Sequence, residues 1–380
     1  MQQSCLTTTQ SETRPPLGKE SRETIASALV QSKHWKSAAS QWGREHLFAH
    51  RVLCKEPKKG LPLFESRRLL PRDPRNTNAC INALVQGPES IDALKYQVEP
   101  QLVQHYKPDS LGYVWAALAP FVRAGAGSIQ NAPSETAVQE RPKRVSNRPV
   151  ELQDFVPSDQ VTFGSSPDYK HRPATSDSNE THSSVGYVEG LVAPLVEDAT
   201  VRLASCFIRC VLNYGQHQDQ TNPFLYFRDE RQTYSFTEGK LRIHAVDDGG
   251  IQFIKSDGNH QHVAMLEGKR TFAKVIDGIP IVSDELLAQM VGEALAVQWA
   301  DVLAVSDNNF ITILAASHFI KFFHFHISDN YQSSFEELHT NPDDYLHVYS
   351  TVWFDIKNHR HREDVVAHIS ALIAWAKEDT

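Results

Sequence analysis

The chain lacks the features that mark membrane-spanning, secreted and nucleotide-driven proteins. None of its apolar runs reaches the roughly 18 residues of a transmembrane helix. The polar start, MQQSCLTTTQSETRPPLGKE, has no apolar core of the kind that signal peptides contain. The sequence also has no phosphate-binding glycine loop of the Walker or dinucleotide type and no Gly-x-Ser-x-Gly elbow. We therefore expect an intracellular protein, cytoplasmic or nuclear, that is neither secreted nor membrane-bound.

The charge of the chain is unevenly distributed. The formal net charge is −8, but residues 1–150 hold 21 Lys and Arg against 13 Asp and Glu, whereas the remaining 230 residues hold 17 against 33. The densest basic stretch runs from Arg44 to Arg75. Such a stretch attracts phosphate groups. An ordinary solvated surface is the alternative interpretation.

Composition and hydrophobic spacing divide the chain into four parts. Residues 1–22 are polar and predict a disordered tail, and residues 23–123 carry apolar side chains at helical spacing. Residues 124–184 are rich in Gly, Ser, Pro, Asn and Thr, which predicts a linker or an extended wrap. Residues 185–380 alternate helical and strand patterns, which is typical of an α/β or α+β domain.

Individual elements of the last part can be predicted from periodicity. Helices are expected at 199–214, 285–301 and 363–377. Strands are expected at 240–254, divided in two by a glycine pair, and at 262–272, 310–317, 319–327 and 345–356. The run from 310 to 327 is apolar on both faces, which predicts central strands of a sheet that is covered on both sides.

Acidic residues and a lysine lie at the end of one predicted strand and within the next. Asp247 and Asp248 close one strand, and Glu267-Gly268-Lys269 lies in the next. Side chains alternate along a strand, so Glu267 and Lys269 point into the same space. Phosphodiester hydrolysis uses such a set, with two carboxylates to hold a divalent metal and an ammonium to orient or activate the attacking water.

In order and type these residues resemble the PD-(D/E)XK nuclease superfamily. The motif of that family is an acid at a strand end, then (D/E)-x-K in the next strand, often with a glutamine on the following helix. Asp247 or Asp248, Glu267 with Lys269, and Gln289 match it over about residues 185–330. More narrowly, AVDDGGI, MLEGKR and DELLAQMVGEALA look like an uncharacterised group of fungal proteins that carry this nuclease-like domain.

The resemblance implies a fold, a cofactor and a substrate. The fold is a restriction-endonuclease-like α/β core with a mixed central sheet flanked by helices. The resemblance also implies Mg²⁺ or Mn²⁺ bound by Glu267 and by Asp247 or Asp248, with Lys269 and Gln289 completing the catalytic set. The substrate would be nucleic acid, DNA in preference to RNA. The alternative is a catalytically silent domain of the same fold that acts as an interaction or regulatory module.

Three assignments stay open on the sequence alone. Strand alternation favours Asp247 as the ligand, whereas a bulge at the glycine pair favours Asp248. Glu197 either adds a metal ligand from the first helix, as the family often does, or only complements the helix dipole. His324 and His326 share a strand face and can bind zinc, but a structural zinc site needs four ligands and no cysteine pair joins them.

Overall fold

The computed structural model describes residues 38–71, 78–126, 195, 197–216, 224–238, 241–255, 258–276, 279–300, 304–333 and 345–378. The predicted tail, residues 1–22, lies outside the described residues, as does nearly all of the predicted linker, residues 124–184. Among the described helices, none is long and apolar enough to cross a membrane.

The helices and strands are numbered in chain order. The α-helices are α1 Arg44–Ala49, α2 Pro62–Ser66, α3 Ala79–Gln86, α4 Glu99–His105, α5 Asp109–Ala126, α6 Glu197–Gly215, α7 Asp284–Trp299, α8 Asp329–Ser333 and α9 His359–Glu378. The strands are β1 Val52–Cys54, β2 Leu225–Arg228, β3 Thr233–Glu238, β4 Leu241–Val246, β5 Gly250–Ile254, β6 His260–Lys269, β7 Lys274–Ile276, β8 Ile279–Ile281, β9 Asn309–Ala316, β10 Phe319–His326, β11 Leu346–Ser350 and β12 Phe354–Asp355.

A mixed sheet forms the centre of the protein, in the strand order β1-β11-β10-β9-β6-β5-β2, with β12 beside β10. Strands β2, β5 and β6 form an antiparallel meander. Strands β6 and β9 are parallel, and α7 lies between them in the chain. Strands β9, β10 and β11 are antiparallel neighbours, and β1 runs parallel to β11 at the edge. The chain is therefore a mixed α/β protein.

Helices flank both faces of this sheet. On one face α6 and α9 cover the strands, and α3 and α5 pack on these two helices through a cluster that includes Trp115, Phe207 and Trp375. On the other face α7 packs with a small antiparallel ribbon formed by β3 and β4, through Tyr234 and Val291 among others. Two apolar layers therefore enclose the sheet, as the two-sided apolar strands predict.

Most of the predicted elements of the last part are confirmed. Helices α6, α7 and α9 lie at the positions predicted from helical spacing, and β9 and β10 are central strands of the sheet. Helix α7 begins where capping chemistry predicts, because the Ser283 hydroxyl accepts a hydrogen bond from the backbone N–H of Leu286. The two strands expected within residues 240–254 are present, but β4 belongs to the ribbon and β5 to the main sheet.

The N-terminal part differs from the purely helical prediction. Val52–Cys54 forms β1 and pairs with β11, and Lys58 forms a further parallel bridge to Thr351. A three-residue strand leaves too short a pattern for periodicity to detect. Its backbone pairs with the β11 edge of the main sheet, so this region is built into the α/β unit.

Candidate active site

Strand β6 places Glu267 and Lys269 together, as predicted. The Lys269 ammonium lies 2.6 Å from Glu267 Oε1. Glu267 is only 2 % exposed, whereas the lysine side chain keeps 28 % of its surface accessible. The carboxylate is therefore inside the protein, and the lysine beside it is partly exposed.

Asp248 lies over the same segment of β6. Its backbone N–H donates to the carbonyl of Leu266 at 3.0 Å, and its Oδ2 accepts from the backbone N–H of Gly268 at 3.0 Å. Its other oxygen, Oδ1, pairs with the guanidinium of Arg231 at 3.0 Å. These contacts fix the Asp248 carboxylate beside the Glu267-Gly268-Lys269 segment.

Asp247 has a different environment, which corrects the preference given by strand alternation. Its side chain is fully buried, pairs with Arg228, and accepts hydrogen bonds from the Tyr234 hydroxyl at 2.7 Å and the Gln232 backbone at 2.9 Å. The chain turns after it at Gly249, whose φ is 124°. We conclude that Asp247 anchors the ribbon and that Asp248 is the acid at the candidate site.

Gly268, between Glu267 and Lys269, allows α6 to approach the site closely. A Cβ at position 268 would overlap with the side chain of Val201 on α6, so glycine allows this approach without a shift of that side chain. Glu197 is the first residue of that helix. Burial raises the pKa of Glu197, Lys269 partly offsets this, and Asp248 raises the pKa further. Glu197 therefore belongs to the electrostatic environment of the site, beyond its effect on the helix dipole.

Gln289 supports Glu267 from α7. Its amide nitrogen donates to Glu267 Oε1 at 2.7 Å and to Glu293 Oε1 at 2.8 Å. Glu293 is buried, and its Oε2 has no hydrogen-bond partner among the described residues. Sequence reasoning gave Glu293 no role. The available signal was an acid one helical turn from Gln289, within an otherwise apolar stretch of α7.

The site holds more carboxyl groups than its cations neutralise. Burial raises the pKa of Glu267 to about 7, although Lys269 opposes the shift, and Asp248 and Glu197 add to it. Burial raises the pKa of Glu293 well above its ordinary value as well. Desolvation alone would lower the pKa of Lys269, but Glu267 and Glu197 outweigh it and raise that pKa. Lys269 is therefore an ammonium ion at neutral pH.

The donor chemistry fits a hard divalent cation, because such ions prefer carboxylate oxygens. The positions of the carboxylates in this structure fit a bound cation less well than their chemistry does. Across the described part of the chain, no three His, Cys, Asp or Glu side chains converge closely enough to hold a metal ion. Lys269 pairs with Glu267 and Arg231 pairs with Asp248. A cation would have to replace at least one of these ion pairs.

The other sequence candidates lie away from this site. His324 and His326 both contact Asn309 Oδ1, at 2.9 Å and 3.2 Å, and join no metal-binding group among the described residues. In the described portion of the basic stretch, Arg44 pairs with Asp284 at 3.7 Å and Lys59 with Asp364 at 3.0 Å. Part of that positive charge therefore neutralises acids of the same protein.

Comparison with known proteins adds no further assignment. No family model matches the chain, and no match was found among curated proteins or solved structures.

We expect the pH dependence of stability to report on Glu267. Because its folded-state pKa of about 7 lies above the ordinary value of 4.5, its ionisation disfavours the fold. The protonated Glu267 carboxyl therefore favours the fold, and this stabilising contribution is fully present below pH 4.5 and is lost as pH rises through about 7. Glu267→Gln removes the titration. Relative to wild type, this variant should therefore gain up to about 3 kcal/mol between pH 5 and pH 8. Urea unfolding at several pH values measures the free energy of unfolding of both proteins. If the two curves of free energy against pH are parallel, Glu267 does not have the raised pKa assigned to it.

Proposed function

We propose that this protein is a nuclease that hydrolyses phosphodiester bonds with the help of Mg²⁺ or Mn²⁺. The observation that carries the proposal is the grouping of Asp248, Glu267 and Lys269, with Glu197 on the adjoining helix. Three carboxylates and one ammonium form a set suited to a divalent cation and a phosphate. The substrate in this proposal is nucleic acid, DNA in preference to RNA.

The order of the elements around the site supports the same proposal. Helix α6, the meander β2-β5-β6, helix α7 and the parallel strand β9 follow one another as a helix, three strands, a helix and a strand. That is the core order of the PD-(D/E)XK superfamily. Asp248 lies two residues before the second strand of the meander, and Glu267 and Lys269 lie at the end of the third. The β3-β4 ribbon and the β7-β8 pair would be insertions into this core.

In this proposal each residue has a defined task. Asp248 and Glu267 hold the cation, and Glu197 is the additional ligand. When bound, the cation polarises the phosphate and lowers the pKa of a bound water. Lys269 orients the water and stabilises the negative charge that develops on the phosphate; a protonated amine cannot serve as the base. Gln289 holds Glu267 Oε1 in place by its amide hydrogen bond.

One observation favours the second candidate, a silent domain of the same fold with an interaction or regulatory role. The two central carboxylates are already paired with Lys269 and Arg231. In such a site the carboxylates already have cationic partners without a metal. The two candidates differ in their response to Mn²⁺.

We expect Mn²⁺ to raise the melting temperature of the wild-type protein, because a ligand that binds only the folded state stabilises it by mass action. At a Mn²⁺ concentration of 100 times Kd, the free energy of unfolding should rise by about 2.7 kcal/mol. Asp248→Asn should lose this shift, whereas Arg360→Gln, an exposed change on α9, should retain it. Cleavage of single-stranded, double-stranded and branched substrates with Mg²⁺ or Mn²⁺ completes the test. If the melting temperature of the wild-type protein does not rise with Mn²⁺ and the protein cleaves no nucleic acid, the catalytically silent domain is favoured.

A further inference from the structure

The β3-β4 ribbon has one buried face and one exposed face. Tyr234, Ile243 and Ala245 point inward and are buried against α7. The ribbon lies between β2 and β5 in the chain, and β4 runs directly into Asp247 and Asp248. Its base is therefore at the candidate active site, and its other end extends away from it.

The outer face carries three hydroxyl groups, an imidazole and a guanidinium. Ser235 lies opposite His244, and Thr237 lies opposite Arg242, with Thr233 nearer the base. All of these side chains are exposed, and Ser235 Oγ is hydrogen-bonded to His244 Nδ1 at 2.9 Å. None of the outward side chains described on the ribbon is a carboxylate. This is notable because residues 151–380 hold 33 Asp and Glu against 17 Lys and Arg.

Arg231 connects this face to the site. Its side chain is 46 % exposed and pairs with Asp248 at 3.0 Å. From Arg231 the exposed positions recur at every second residue, through Thr233 and Ser235 to Thr237. Six residues of extended chain span about 20 Å, which is long enough for several nucleotides.

We propose that the outer face of the β3-β4 ribbon binds the sugar-phosphate backbone of a nucleic acid strand and leads it to Asp248 and Glu267. The inference rests on the proposed nuclease function. Arginine, serine, threonine and backbone N–H groups are among the donors that proteins use to contact phosphates, and these contacts carry no sequence information directly. Arg231 lies at the site end of this path and Arg242 at the far end.

The test is binding of a fluorescently labelled single-stranded DNA to the full chain in EDTA, followed by anisotropy over a range of salt concentrations. Arg242→Gln should bind about 3- to 10-fold more weakly at about 50 mM salt, equally for different sequences. The slope of log affinity against log salt concentration should fall by about one. Arg360→Gln, which removes the same charge from an exposed site on α9, should bind as the wild type does.

The possible results distinguish binding of nucleic acid along the β3-β4 ribbon, called the binding path below, from hydrolysis at the candidate site. If wild-type protein binds and Arg242→Gln matches Arg360→Gln, the ribbon is not the binding path, whatever the protein cuts. If Arg242→Gln alone weakens binding but no substrate is cut with Mn²⁺, the path stands and the proposed hydrolysis fails. Wild-type protein that binds no DNA, and no RNA of the same sequence, overturns the path. Equal melting temperatures of Arg242→Gln and Arg360→Gln would show that a difference in their binding does not come from unfolding.

Discussion

Glu267→Gln should abolish the proposed metal-dependent cleavage, with a loss of about three orders of magnitude or more in kcat. The substitution keeps the size of the side chain and leaves an oxygen that can accept from Lys269 and Gln289. It removes the negative charge that a divalent cation requires. Rates of cleavage in Mn²⁺, measured at saturating substrate, test this expectation.

Folding and chemistry can be separated for this variant. Its melting temperature at pH 8 should not fall below that of the wild type, because ionised Glu267 is itself costly in the folded state. Activity that survives in Glu267→Gln would show that this carboxylate is not a ligand. The same preparation should also lose the Mn²⁺-induced rise in melting temperature.

Asp247→Asn should destabilise the fold by up to about 3 kcal/mol, whereas Asp248→Asn should change stability by about 1 kcal/mol or less. Asp247 is the fully buried partner of Arg228, so neutralising it leaves a buried guanidinium without a counter-ion. Asp248 instead pairs with a half-exposed Arg231 and lies near other carboxylates. Losing its charge relieves repulsion and offsets the lost ion pair.

The two isosteric changes at neighbouring positions act as controls for each other. Urea unfolding of both variants measures stability, and cleavage in Mn²⁺ measures activity. Asp248→Asn should be folded and inactive. Equal destabilisation by the two substitutions would contradict the different roles assigned to the two aspartates.

The histidines and basic residues show why sequence pattern alone cannot locate a site. His324 and His326 share a strand face, as predicted, but both contact the amide of Asn309. Arg44 and Lys59 belong to a basic stretch, but each pairs with an acid from a distant part of the chain. A pattern fixes which residues are neighbours along one element. It does not fix what packs against them.

Local backbone geometry alone determined that Glu267 and Lys269 share one side of a strand, because side chains alternate at every residue. Periodicity also determined α6, α7, α9 and the central strands β9 and β10, since each presents a long apolar pattern. These properties depend only on residues close in sequence.

Tertiary structure decided the rest. It decided between Asp247 and Asp248, because the turn at Gly249 and the position of Arg228 place one aspartate in the core and the other beside β6. It brought Glu197 to the site through the close approach of α6 at Gly268. It also buried Glu293 behind Gln289. Each of these outcomes depends on contacts between elements far apart in the chain, whose distances no local pattern specifies.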